Sequence, residues 1–475
     1  MKSRPGFLSR RLNHLIVNRR ETAAVNSVLK LLGLPGLVSL VAAALASPAP
    51  AAVFNPETFT LANGMQVVVV SNRRAPVIAH MVWYRVGAAD EPAGKSGIAH
   101  FLEHLMFKGT KTIPPGEFSK IVARNGGQDN AFTSQDYTAY FQTVARDRLE
   151  LVMRMEADRM RNLVLTDKEV LPERDVVLEE RGSRTDNDPG SQLYESAQAA
   201  LFMNHPYGNP VIGWKHEIEQ LTTDDALKFY HRFYAPNNAI LIVAGDVDAK
   251  ELRPLAEKYY GAIKRGPDIV RKRVQEPVHH AERRVELRSP RVRQPSWSRT
   301  WLAPSYRTAK GNEAYALQVL AKIIGGGATT RLYRELVVVQ GVASSVGAWY
   351  SPDQFDLGSF GVSVSPRPGK TLDEAEAALR LQIDKLLQGG ITDDELSRAK
   401  KSMVSSAIYA RDSLRAAPNI LGRALATGRT VADVEEWPDR ISAVTRAEVE
   451  KAARSILRSR RSVTSVLLPA KRKEG

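Results

Sequence analysis

His100, Glu103 and His104 are the residues of this sequence best placed to do chemistry. They fall in the string Gly97-Ile-Ala-His-Phe-Leu-Glu-His-Leu-Met-Phe-Lys108, whose spacing predicts a helix with Ser96 capping its start and Gly109 its end. Apart from these three and Lys108, every residue of the string is apolar or glycine. A helix apolar on all sides is a buried helix, and ionisable side chains on it are costly unless they pair or bind a metal. Positions i, i+3 and i+4 lie on one helix face, so two imidazoles and a carboxylate converge on one point. That geometry suits a tetrahedral zinc, with the carboxylate left beside the metal to take a proton from water. A buried His–Glu network with no catalytic part is the competing reading of the same residues.

A third ligand is available downstream. Pro172–Arg181 (PERDVVLEER) predicts a second helix with Pro172 at its first position, and Glu173 and Glu180 lie two turns apart on one face of it. Either carboxylate could complete a His₂Glu set with one open coordination position, the ligand set of a hydrolytic zinc. The chain contains no cysteine. Disulfides, thiolate metal sites, iron–sulfur clusters and a cysteine nucleophile are therefore excluded, and any metal must be held by His, Asp and Glu.

The remaining residues must build elements that hold these groups. A chain of 475 residues, 43% hydrophobic and 25% charged, is long enough for two or more domains with sizeable cores, and its composition excludes wholesale disorder and a multi-span membrane protein. Strands are predicted at 66–70, 78–86 and 239–244, and a helix at 146–162. One pattern occurs twice. Thr222-Thr-Asp-Asp225 opens a helix that is followed by the β-run Ala239–Val243, and Thr445-Arg-Ala-Glu448 opens one followed by Ser462–Val466. Likewise Ala99, Leu102, Met106 and Phe107 fall on Ala316, Val319, Ile323 and Ile324. The expected organisation is a first domain at 52–266, a linker at 267–290 and a related second domain at 291–475 that lacks the metal motif.

Charge and termini bear on partners. Residues 1–51 carry seven basic residues against Glu21, so the net charge of +15 falls to +9 without them. The uncharged run Leu31–Ala46, interrupted by Gly33, Pro35 and Gly36, followed by Ala49-Pro50-Ala51, reads as an export signal with a signal-peptidase site. The expected location is the periplasm, with membrane anchoring if the signal is kept. The basic run Arg271-Lys-Arg273, with Arg283, Arg284 and Arg288, falls in the linker and is expected to be solvated; no nucleic-acid partner is expected. His279 and His280 are likewise expected to face solvent, and His205, His216 and His231 to be structural.

Taken together, His100-Phe-Leu-Glu-His-Leu-Met-Phe-Lys-Gly-Thr110, Gly127-Gln-Asp-Asn-Ala-Phe-Thr133 and Glu173-Arg-Asp-Val-Val-Leu-Glu-Glu180 resemble the pitrilysin (insulinase) family of zinc peptidases. The chain is most similar to the bacterial branch related to the mitochondrial processing peptidase. His205-Pro-Tyr-Gly208, Tyr234-Ala-Pro-Asn-Asn238 and Gly245-Asp246 extend the likeness through the first half, and the second half matches more weakly. The resemblance implies an α+β fold of two similar domains, each a mainly antiparallel sheet packed with helices, forming half of a clamshell. It implies zinc held by His100, His104 and Glu180, Glu103 as general base, and Glu173 supporting the site from behind. It also implies that unfolded peptides lie along an edge strand carrying Asn130 and Ala131, a backbone grip tolerant of sequence.

The second half departs from the family pattern. Where an Arg and a Tyr six residues apart would contact the substrate, this sequence has Val337 and Ser344, neither able to donate the same hydrogen bonds. Leu317, Leu320 and Ala321 stand where the metal motif would recur. The expectation is a zinc endopeptidase subunit whose homologous partner supplies R-x₆-Y in a heterodimer. A non-catalytic scaffold of the same fold is the alternative, and a polyanion-binding protein rests on net charge alone.

Overall fold

The computed structural model describes residues 53–458 and 460–470, and the expected export segment 1–51 lies outside them. Short β-branched runs build the first sheet: β1 (Glu57–Thr60), β2 (Gln66–Ser71), β3 (Val77–Tyr84), β4 (Gln128–Thr133), β5 (Thr138–Ala145) and β6 (Ala239–Gly245), in the order β1-β2-β6-β3-β5-β4. β2 and β6 run parallel and every other pair is antiparallel. Strands β3 and β6 are buried along nearly their whole length, as strands covered on both faces must be. Ile78, Val82 and Tyr84 point into a core with helices α1 (Ile98–Leu105), α2 (Leu149–Arg161), α3 (Asp167–Arg181) and α5 (Thr223–Phe233), while α4 (Pro189–Leu201) leaves this half.

The second half repeats the plan. Strands β7 (Arg283–Ser289), β8 (Ser296–Ala303), β9 (Ala343–Ser351), β10 (Gly358–Pro366) and β11 (Ser462–Pro469) lie in the order β7-β11-β8-β10-β9, with β7 and β11 parallel and the rest antiparallel. This is the order and sense of β2-β6-β3-β5-β4. Helix α6 (Glu313–Gly325) stands where α1 does, α7 (Leu372–Gly389) covers the same sheet face, α8 (Ala416–Ala426) departs, and α9 (Arg446–Leu457) leads into β11 as α5 leads into β6. The fold is α+β, with two similar domains, each a mainly antiparallel sheet packed with helices.

Each half lends a helix to the other. Ala417, Leu421, Ala424 and Leu425 of α8 cover the second face of the first sheet, against Val68, Met81, Trp83 and Ile242. Helix α4 lies on β7 and β11, where Leu201 and Phe202 meet Leu302 and Val463. Gly422 lets α8 close on the sheet, since a Cβ there would stand 2.1 Å from the Trp83 ring.

Several local expectations are corrected. The first helical position of α3 is Asp167 rather than Pro172; Thr166 and Glu169 form a capping box, and Pro172 sits inside the helix. Gly97, at φ 88°, caps α1 in place of Ser96, whose hydroxyl instead accepts from the Trp214 N–H at 2.9 Å. Helix α1 ends at Leu105, and the chain then tightens into i→i+3 bonds before Gly109. Residues 283–289, placed in the linker by sequence, form β7.

The basic connector is exposed along much of its length, but not at Arg271 and Arg273. Side chains of Arg271 and Arg273 are 8% and 5% exposed. Arg273 donates to Asp90 at 2.9 Å and to Asp356 at 3.3 Å and also pairs with Asp136, while Arg271 donates to the Asp136 carbonyl. Both stack with Arg307 around Phe355. His279 is buried between Glu276 and Arg283 rather than facing solvent. Asp90 and Asp136 belong to the first half and Asp356 to the second, so the connector binds both with buried charge. Replacing Gly422 by Ala is expected to destabilise the protein by about 1–3 kcal/mol through overpacking against Trp83, read as a lowered melting temperature with fold and metal content retained.

Candidate metal centre

The site is assembled on α1 and α3. The start of α1 is fixed by two carboxylates: Glu91 accepts from the N–H groups of Gly97 and Ala99 at 3.0 and 2.9 Å, and Glu217 accepts from Ser96 N–H at 2.6 Å. A side chain at position 97 would meet the Ile212 carbonyl at 2.5 Å, so only glycine lets the chain pass there. With its start held, α1 presents His100 and His104 toward α3 and Glu103 toward the end of β4.

Glu180 brings the group together. Its Oε2 lies 3.7 Å from His100 Nε2 and 3.2 Å from His104 Nε2, and the ligand atoms of the three residues lie within 4.8 Å of one another. An ion about 2.0–2.2 Å from each ligand of a tetrahedron separates the ligand atoms by roughly 3.3–3.6 Å. The observed spacing brackets that value, so these residues fit a zinc ion. Glu173 belongs behind the group: its Oε1 is 2.9 Å from His104 Nδ1, which turns Nε2 inward, and its Oε2 pairs with Lys108. Arg184 binds the other oxygen of Glu180 at 2.5 Å.

The two imidazoles sit in different electrostatic surroundings. Burial, aided by His104 and Arg184, holds His100 down at about 3, so its imidazole is neutral, the form a ligand needs. Burial opposes protonation of His104, but the hydrogen bond to Glu173 and the charges of Glu180 and Glu103 outweigh it and raise its proton affinity. Three carboxylates around one imidazole call for positive charge, which a divalent cation would supply in place of a proton. Burial would raise Glu173, yet its bonds to His104 and Lys108 hold it below the ordinary carboxylate range.

Glu103 stands apart from the three-residue group. Its Oε2 accepts from the Thr133 hydroxyl at 2.5 Å, and burial pushes its proton affinity up against that bond. Thr133 ends β4, an edge strand paired on one side only with β5; Asn130 and Ala131 lie on the same strand, exposed and half-buried. In the second half the counterparts Leu317, Leu320 and Ala321 are buried in an apolar core. Val337 is buried, and the Ser344 hydroxyl is spent on the Pro366 carbonyl at 3.1 Å.

Sequence reasoning missed Lys108, Arg184, Thr133, Glu91 and Glu217. Arg184 follows Glu180 by four positions, a helical ion-pair spacing that would have found it, whereas Lys108 meets Glu173 on another helix. Thr133 and Glu217 reach the site through tertiary packing alone.

Comparison with known proteins gives a consistent answer. Residues 66–215 match the family model for insulinase, peptidase family M16, and residues 220–403 match that for the peptidase M16 inactive domain. The zinc protease PqqE of Helicobacter pylori is 35% identical over 79% of this chain and 84% of its own length. A solved protease from Helicobacter pylori has a TM-score of 0.81 at 32% identity, over 87% of this chain and 99% of that one. The periplasmic protease PqqL of Escherichia coli matches at TM-score 0.76 and 19% identity; 87% of this chain covers 47% of it. Replacing Glu173 by Gln is expected to leave the fold intact and weaken zinc binding about 10- to 100-fold, as measured by competition with a chelator of known affinity.

Proposed function

The chain belongs to the insulinase family, peptidase family M16, and from that premise we propose that it is the zinc-bearing subunit of an endopeptidase acting on unfolded peptides. The observation that carries the reading is the convergence of His100, His104 and Glu180 with a separate carboxylate, Glu103, on the same helix. When bound, zinc would polarise the scissile carbonyl and make water more acidic. Glu103 takes the proton as the water oxygen attacks the carbonyl carbon. It then returns that proton to the amide nitrogen as the C–N bond breaks. Burial, by raising the proton affinity of Glu103, suits it to both transfers.

The substrate is an extended peptide paired to the free edge of β4 beside Asn130 and Ala131. Strand addition exploits the unpaired backbone groups of an edge and needs no particular side chain on the peptide. The intact set of His100, Glu103, His104 and Glu180 argues against the alternative, a scaffold without catalysis. The second half, with Leu317, Leu320 and Ala321 at the counterpart positions, is what this unit becomes when they are not kept.

Assembly follows from what the second half lacks. Val337 has no polar side-chain group and the short Ser344 hydroxyl is bonded to the Pro366 carbonyl, so neither replaces the donors for a carbonyl oxygen that gains negative charge, which are worth several kcal/mol in a transition state. A homologous subunit carrying Arg and Tyr as R-x₆-Y in its second half would supply them in a heterodimer. The fold match to about half of PqqL supports a working unit made of two such halves. Residues 1–51 would direct the subunit to the periplasm, or hold it at the membrane if they are kept.

Replacing Glu103 by Gln is expected to preserve stoichiometric zinc and lower peptide hydrolysis by about 10²- to 10⁴-fold; wild-type turnover in that variant would exclude Glu103 as the base. The purified chain alone is expected to be weakly active on an unfolded peptide and to gain activity on mixing with a homologue carrying R-x₆-Y. Full activity without a partner would show that the chain is self-sufficient, as a homodimer or otherwise.

A further inference from the structure

Among the described residues, the Glu103 side chain has one hydrogen-bond partner, the Thr133 hydroxyl at 2.5 Å from Oε2. The proton of that hydroxyl can be traced. Thr133 Oγ1 is also 3.3 Å from Thr138 Oγ1, and Thr138 donates to the Val86 carbonyl at 3.1 Å. An ionised carboxylate has no proton to give, so Thr133 is the donor in the 2.5 Å bond, and the 3.3 Å contact with Thr138 is too long to compete for that proton. The bond is therefore charge-assisted when Glu103 is ionised. It fixes Oε2 and leaves Oε1 for the reacting water.

Thr133 is not on the helix that carries Glu103. It is the last residue of β4, on the same face as Ala131 and two positions beyond it. Glutamate has three rotatable side-chain bonds, and among the described residues the Thr133 hydroxyl is the one hydrogen-bond partner that holds its carboxylate in place. We propose that Thr133 is the positioning residue of Glu103, so that the edge strand sets where the base stands. The inference rests on Glu103 being the base and on β4 being the strand along which the peptide lies. If both hold, the base and the peptide backbone are located from one element, and small shifts of α1 against the sheet leave their separation unchanged.

The test compares Thr133→Val, nearly isosteric but without the hydroxyl, with Thr133→Ser, which keeps it. Both variants and Glu103→Gln are assayed on an unfolded peptide in whichever assembly is active, alone or mixed with its partner, with zinc measured by elemental analysis. Thr133→Val is expected to keep stoichiometric zinc and an unchanged KM and to lower kcat about 10- to 100-fold, the cost of a misplaced catalytic group. Thr133→Ser is expected to restore most of that loss. Wild-type kcat in Thr133→Val, a Thr133→Ser variant as impaired as Thr133→Val, or loss of zinc in step with kcat would each overturn the inference. If Glu103→Gln is inactive while Thr133→Val is fully active, only the role of Thr133 falls. If Glu103→Gln is fully active, the assignment of the base falls first.

Discussion

The site is shaped by one cost, that of burying two imidazoles and a carboxylate on a helix with no polar face. Helix α3 meets that cost with carboxylates, and cations farther out meet theirs. His104 is backed by Glu173, which is backed by Lys108; Glu180 faces both imidazoles and is backed by Arg184. Each imidazole is faced by a carboxylate and each carboxylate by a cation, and the sequence of partners ends at a lysine and an arginine that reach water. The scheme works only if α1 and α3 keep their separation, which explains the investment in the start of α1, where Glu91 and Glu217 hold backbone N–H groups that no side-chain cap satisfies.

The two halves share a plan and differ in chemistry. In the second half, α6 fills the position of α1 with leucine and alanine, and ordinary packing is enough to hold it. The first half instead carries a polar chain through its core. His80 contacts Tyr260 and Gln142, Gln142 donates to Glu156, and Glu156 pairs with Arg159. The Arg159 guanidinium lies 4.9 Å from the ring centre of Phe107, just beyond the metal helix, and 4.1 Å from that of Phe118. Charge buried beneath the sheet thus clamps the segment that leaves the site, a constraint with no counterpart around α6 among the residues described.

Much of this was legible because helical periodicity is local. The i, i+3, i+4 placement of His100, Glu103 and His104, and the duplicated helix–strand unit, can be read from spacing. Spacing could not rank Glu180 against Glu173, since both lie on one face of α3; the structure separates them by which imidazole nitrogen each one meets. The connector was misread for a related reason. A run of arginines looks solvated until Asp90, Asp136 and Asp356 arrive from three distant segments to bury it. Position alone makes Ser96 the cap, but the chain bends left-handed at Gly97 and turns the hydroxyl toward Trp214.

The exchange of helices between halves also orders events during synthesis. The first sheet is complete once β6 ends at Gly245, but the helix that covers its second face is encoded at residues 416–426. A nascent chain that has emerged only through its first half therefore holds a finished sheet with Met81, Trp83 and Ile242 bare on one side. Burial of that face waits on the far end of the polypeptide. A ribosome stalled in the second half would release a fragment that contains every zinc ligand and still exposes a face prone to aggregation.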